Sequence, residues 1–387
     1  MNRNSIFLFL ALILGSFSDE AVQVIFFLKV GNVEKIYLVS LLMLGAMIGS
    51  ITANIYFSRL LQIFSLPVIL IGSLIAQSGL ILIASTIVNA WFYLVVTFLL
   101  GGLGGLLWSA TLIAIPAITA HHTQLDTVNK YAHTIRNMGF VLGPVLGGVL
   151  LEWLNLRYAM WLIGGFTLAS ALIFPFALRK LNLLPKQAQK TNYINGLRAI
   201  GGLWQTPAIR KVLFPILLTV VLISTCSVLV IVYLTNGIQL NGEQFGVYIS
   251  LFSLALTFSP LLFSPFFKKW GDATGACLAA ALMGAGILIL GANSLYVIIV
   301  LAGILIGIGN GVQNTLLSAF MLKHISPENR PNQMPAYVLL LQSCAALGYV
   351  LSLGITATMI QTIFILFGCF TIFVGLLGSY RNYAKLH

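Results

Sequence analysis

The sequence predicts an all-α membrane protein of twelve transmembrane helices in two six-helix, pseudo-symmetric halves. Three observations predict it. Of 387 residues, 59% are hydrophobic and only 7% are charged, and mean hydropathy is +1.01; soluble domains carry about 25% charged residues. Apolar runs of about 20 residues, enough to cross about 30 Å of hydrocarbon as helix, recur along the whole chain. Landmarks of the first half also return in the second at a nearly constant offset: "GGLGG" at 101–105 answers "GIGNG" at 307–311, and the basic turn at Ser58–Arg59 answers Lys268–Lys269. A transmembrane barrel is excluded, because the runs lack the alternation of its strands.

The elements follow in order. Span 1, 6–28, is apolar except for the stretch around Asp19 and Glu20. It is too long for a cleaved signal peptide, and no small-residue cleavage site follows it. Span 2, 36–56, closes before Arg59. Span 3 is 66–87. Span 4, 91–118, carries 101–105 and Trp108, and span 5, 129–152, carries Arg136 and a glycine-rich run. Span 6, 157–178, stops at Arg179. The polar stretch 179–211 separates the halves, so the domains are 1–178, a cytoplasmic linker, and 212–387. Part of the linker, 193–204, reads as a short surface helix weakened by three glycines. Spans 7 to 12 are 212–235, 243–267, 273–292, 295–320, 333–357 and 360–380.

Charge sets the orientation. With the N-terminus inside, only Lys29, Lys35 and Arg157 of the 20 Lys and Arg residues fall outside. By the positive-inside rule both termini are cytoplasmic, in the inner (cytoplasmic) membrane of a multi-pass protein. The net charge of +12 is scattered over short loops, which fits anionic lipid and argues against nucleic acid. The four cysteines fall inside spans and read as packing residues. No phosphate-binding loop, zinc motif or nucleophile elbow is present, so no catalytic residue, metal or cofactor is expected, and the first expectation is that the chain is not an enzyme.

The acids carry the functional argument. Glu34, Asp126, Glu243, Asp272 and Glu328 fall in loops or at span edges, and Glu152 at the outer end of span 5. Only Asp19 and Glu20 lie at depth. On a helix they point about 100° apart, with Ser16 and Gln23 between them on one polar face. A charge facing lipid costs at least about 2.5–3.5 kcal/mol, so the face must look at protein or water. Either acid is a candidate proton carrier; a purely structural pair is the alternative. Span 7, the counterpart of span 1, has "LISTCSVLV" at 222–230 and no acid. Arg136 is a candidate charge partner or anion contact, or a snorkelling side chain. Asn310, Gln313 and Asn314 form an i, i+3, i+4 face on span 10. With Trp108, Gln342, Ser16 and Gln23 they are candidates to line a cavity.

Within span 5, "RNMGFVLGPVLGGVL", 136–150, sets Gly139, Gly143, Pro144, Gly147 and Gly148 as a bare, bendable ridge that neighbouring helices can approach closely. This run resembles the fifth-span motif of exporters in the major facilitator superfamily. "FSPFFKKWGDATG", 263–275, resembles that superfamily's basic turn, in Lys268, Lys269 and Gly271. The first-half copy keeps Arg59 but has Ser58 for the usual aspartate. "ISPENR", 325–330, is similar to its turn before span 11, and "GSFSDEA" to first spans of the macrolide-efflux and enterobactin-exporter branch of drug:proton antiporters.

The resemblance implies the major facilitator fold, a ridge that seals one side of the pathway, and a coupling aspartate at Asp19. The expected function is secondary active export, in exchange for protons, of an amphipathic or siderophore-like molecule by a monomer. Its partners are that small molecule, protons and the lipid bilayer. A lipid or lysolipid flippase or an importer of the same fold stays open, as does a membrane-embedded enzyme acting on a lipid-linked substrate.

Overall fold

The computed structural model describes residues 3–30, 36–118, 122–178, 200–326 and 329–383. Outside them fall the linker up to residue 199, Glu34 and Glu328, and likewise the side chains of Arg59, Asp126 and Arg136.

The first six helices are α1 Arg3–Val30, α2 Ile36–Ile63, α3 Leu66–Ala84, α4 Ala90–Ile118, α5 His122–Trp153 and α6 Leu156–Leu178. The second six are α7 Pro207–Val232, α8 Gly242–Leu262, α9 Asp272–Ala292, α10 Tyr296–His324, α11 Arg330–Ser352 and α12 Ile360–Tyr383. Among the described residues, ten helices are long and apolar enough to cross a membrane. Two shorter apolar stretches, Met138–Trp153 in α5 and Ala336–Ser352 in α11, complete the set of twelve.

Local chemistry sets the boundaries. Asn89 begins α4, its Oδ1 accepting from the amides of Trp91 (2.9 Å) and Phe92 (3.3 Å). Asn155 caps α6 through Tyr158 N, 3.0 Å. Asn241 and Gln244 form a reciprocal capping box at α8. Such caps satisfy amides that a helix start leaves unpaired. The structure differs from the sequence reading after span 8. That helix stops at Leu262, and a separate short helix, Ser264–Lys268, follows. Pro260 lies inside α8 and Pro265 opens the short helix; each lacks an amide hydrogen and crowds the preceding turn. Of the proposed linker helix, 200–205 is helical, with Leu203 buried against Ile209 and Val212.

Two compact units emerge: the described residues up to 178 with 239–250, and those of 200–238 with 251–383. In the first unit, α1 packs on α5 and α6, α3 on α4 and α6, and α2 on α4. In the second, α7 packs on α11 and α12, α9 on α10 and α12, and the later turns of α8 on α10. Each helix thus keeps the neighbours of its counterpart six places earlier.

The glycines hold this register residue by residue. A Cβ at Gly101 would strike Ala46 and one at Gly105 would strike Ser50, both on α2. A Cβ at Gly307 would strike Phe252 and one at Gly311 would strike Leu256, both on α8. The steps 101 to 307, 105 to 311, 46 to 252 and 50 to 256 are one constant offset, so the halves repeat as parallel copies, the transporter architecture.

Each unit buries its own core. Leu8, Leu12, Leu70, Leu74, Ala110 and Phe174 meet in the first, and Val212, Leu213, Ala276, Leu316 and Phe320 in the second. Many large apolar side chains stay on the outside, among them Val68, Ile75, Trp91, Leu172 and Phe214. A soluble monomer rarely shows such extended apolar surface; a lipid-facing one requires it.

Candidate functional site

The site is built on α1. Leu12, Gly15, Ser18, Ala21 and Val22 are buried, whereas Ser16, Asp19, Glu20 and Gln23 are half-buried. The polar face therefore meets packed protein on its flanks and keeps partial access itself. Ser18 turns away, its hydroxyl donating to Leu14 O at 2.8 Å.

The glycine ridge of α5 lies directly on this face. A Cβ at Gly139 would fall 2.8 Å from the carbonyl carbon of Ser16. One at Gly143 would fall 2.6 Å from Glu20 Cβ and 3.0 Å from Phe17 O, and one at Gly147 2.6 Å from Ala21 O. Contacts rise in step on both chains, so α1 and α5 run parallel with backbones touching. The ridge has a second side. A Cβ at Gly148 would strike Gly242 O, and one at Gly246 would lie 2.8 Å from Pro144 O. The first turns of α8 thus rest on α5, and the Glu152 carboxylate accepts from Glu243 N at 3.1 Å. That carboxylate sits where the helix dipole favours negative charge.

Asp19 points elsewhere. The position of a Cβ at Gly104 on α4 is 3.6 Å from Asp19 Oδ2 and 3.6 Å from Gln77 Nε2 on α3. The two acids, adjacent in sequence, therefore address different helices: Glu20 the ridge, Asp19 the α3–α4 side. Gln77 did not stand out in the sequence, and its only signal there is an amide inside an apolar run. Arg136 is three residues before Gly139 in the chain, and its side chain lies outside the described residues. Trp108 on α4 is half-buried.

In the second unit, Gly348 on α11 makes one contact of the same kind against α7. A Cβ there would strike Val221 O and lie 2.8 Å from Ser224 Cβ and 3.0 Å from Thr225 N. These are the same three steps that Phe17, Glu20 and Ala21 present to Gly143. Ser224 thus stands where Glu20 does, so one ridge contact is repeated without the acid. The polar residues of α10 separate. Asn314 donates to Asn310 at 2.7 Å, while Gln313 is 3% exposed and its Oε1 has no hydrogen-bond partner among the described residues. Gln342 is exposed on α11.

The basic turn, with Gly271 at φ 87°, leaves Lys268 and Lys269 exposed. Next to it Asp272 opens α9 and pairs with Lys323 at the end of α10. Among the described residues no group of His, Cys, Asp and Glu could hold a metal ion.

The sequence model of the Major Facilitator Superfamily matches residues 6–349. The chain belongs to the Major Facilitator Superfamily. Solved structures share its fold. A crystal structure of the peptide transporter POT superposes with TM-score 0.76 at 15% identity, covering 98% of this chain and 94% of that one. The nucleoside transporter NupG gives 0.71 at 15% identity, covering 97% and 98%. A bacterial homologue of the iron transporter ferroportin gives 0.68 at 14% identity, covering 97% and 98%. No curated protein matches in sequence. The protein is a multi-pass membrane transporter by family, and at these identities the structural likeness carries the fold alone.

Proposed function

We propose that the protein exports a small amphipathic or siderophore-like molecule across the cytoplasmic membrane in exchange for protons, by alternating access. It works as a monomer with both ends in the cytoplasm. The observation that carries this reading is the half-buried face Ser16, Asp19, Glu20 and Gln23 on a helix seated against a bare glycine ridge. A carboxyl held at membrane depth is functional by default. Its proton occupancy responds to water access and to a nearby cation.

Asp19 is the proposed proton carrier, with Arg136 the cation that replaces the proton. Glu20, on the ridge side, senses the approach of α5. The ridge residues Gly139, Gly143, Pro144, Gly147 and Gly148 seal one side of the pathway by letting α1 and the start of α8 close on α5. Trp108, Asn310, Asn314 and Gln342 are the proposed substrate contacts. The resemblance of "GSFSDEA" to the macrolide-efflux and enterobactin-exporter branch supports the substrate class.

The test is a screen in everted vesicles with a pH-sensitive dye. Macrolide-like, siderophore-like and lysolipid compounds are added to an imposed pH gradient, and a transported compound dissipates it. Asp19→Asn should uncouple export from the gradient while substrate binding survives. If the Asp19→Asn/Glu20→Gln double variant exports at the wild-type rate and still follows the gradient, neither acid carries the proton.

A further inference from the structure

We propose that Gln77 is a positioning residue for Asp19: its amide holds the charged carboxylate and sets how readily Asp19 takes up a proton. The inference rests on the reading of Asp19 as the proton carrier. Gln77 is the one amide in α3 and is 4% exposed. Burying an amide in an apolar bundle is costly unless it is hydrogen-bonded. Its neighbour Ser78 is accounted for, donating to Gly164 O on α6 at 2.9 Å. Gln77 Nε2 and Asp19 Oδ2 converge instead on Gly104, each 3.6 Å from the position its Cβ would take. The missing side chain at Gly104 leaves room between them for one bridging water, which is nearly as good as a direct hydrogen bond.

The repeat supplies an internal control. Ser78 meets Gly164 of α6, and at the matching place Gly284 of α9 meets Gly368 of α12. Glu20 meets Gly143, and Ser224 meets Gly348. One residue earlier on each helix, Gln77 is answered by Met283 and Asp19 by Ile223. The carboxylate and the α3 amide are present together in one half; in the other both places hold apolar side chains, and Gly104 is answered by Asn310. Packing alone therefore does not require an amide at the Gln77 place.

The ionisable groups around Asp19 are few. Helix α3 has none, α4 only Tyr93, and α6 only Arg157 and Tyr158 in its first turn. On α2, Tyr37, Tyr56 and Arg59 sit toward the ends. On α5, Arg136 comes three residues before Gly139, His122, Asp126, Lys130, Tyr131 and His133 precede it, and Glu152 is at the far end. On α1 itself are Glu20, with Arg3 and Lys29 near the ends. An N–H donated to a carboxylate favours its charged form, so losing the amide lets Asp19 keep its proton to higher pH.

The experiment titrates proton occupancy directly, in the full chain reconstituted in phospholipid vesicles. The infrared carboxylic C=O band that disappears in Asp19→Asn reports Asp19. Gln77→Met installs the residue that the second half carries at the matching place. It should move the midpoint of that band upward by about one pH unit or more. Gln77→Asn, which keeps the amide, should move it less. Gly104→Ala, whose methyl would sit at ordinary contact distance from both groups and exclude water between them, should also move it upward, and it decides the matter should Gln77→Met fail to fold. An unchanged midpoint overturns the proposal. A shifted midpoint with export that ignores the gradient keeps Gln77's role and removes Asp19's coupling role; coupled export with an unshifted midpoint does the reverse. Absence of any Asp19 band across the titration overturns both.

Discussion

Gly143→Ala adds one methyl group where α1 and α5 are in backbone contact. Its carbon would sit 2.6 Å from Glu20 Cβ, 3.0 Å from Phe17 O and 3.3 Å from Ala21 N. Carbon atoms rest about 3.5–4.0 Å apart, so the two helices must part by about 1 Å. Overpacking of this kind costs about 1–3 kcal/mol. The control is Gly79→Ala on α3, where nothing lies within 4 Å of the new methyl. There the gain in helix preference, about 0.5–1 kcal/mol, is unopposed. The same chemical change should therefore lower the thermal midpoint of the purified full-length protein at Gly143 and leave it level or higher at Gly79. Size-exclusion profiles after heating give the midpoints. Gly143→Leu, with a larger wedge, should abolish export while protein stays in the membrane. Equal midpoints for the two alanine variants would refute the reasoning that the ridge exists to let α1 approach.

Lys323→Met strands the Asp272 carboxylate, which is 7% exposed where its partner is 59% exposed. It should cost about 1–3 kcal/mol, most of it recovered in the double variant with Asp272→Asn, as a thermal double-mutant cycle will read. Glu152→Ala removes the acceptor at the start of α8 and should cost about 1 kcal/mol, whereas Glu152→Gln, which keeps a carbonyl, should cost less in the same assay. A C-terminal reporter that works only outside the cytoplasm should stay dark in cells; a bright one would overturn the orientation.

Much of the fold was legible because the bilayer demands long apolar runs, and these are written continuously in the chain. The end of α8 was missed because Pro260 and Pro265 sit in a run whose hydropathy never falls. The span 5 ridge was legible as a motif, and its fit to Ser16, Glu20 and Ala21 appears only once the helices are side by side. Gly348 carries no such motif around it in the sequence, although it makes one of the ridge's contacts. Gln313 was grouped with Asn310 and Asn314 on spacing alone. Positions i+3 and i+4 stand about 100° apart on a helix, enough to bury one and expose the other. Gln77 was invisible in principle, because its meaning lies in Asp19 and Gly104, distant in sequence and brought close only by packing.

The seat of Asp19 and Glu20 also dictates an order of assembly. The positions that face the pair at Gly104 on α4 and Gly143 on α5, with Gln77 on α3 beside Gly104, are all synthesised after it. At about 5–20 residues per second, several seconds or more separate the emergence of α1 from that of the ridge. Through that interval α1 sits in the membrane without its final neighbours, and ionised acids facing lipid cost at least about 2.5–3.5 kcal/mol each. Protonated acids avoid that charge, so insertion favours their neutral forms until the first half closes around them. A proton held on Asp19 or Glu20 thus lowers the cost of bringing the first helix into the bilayer before its neighbours arrive.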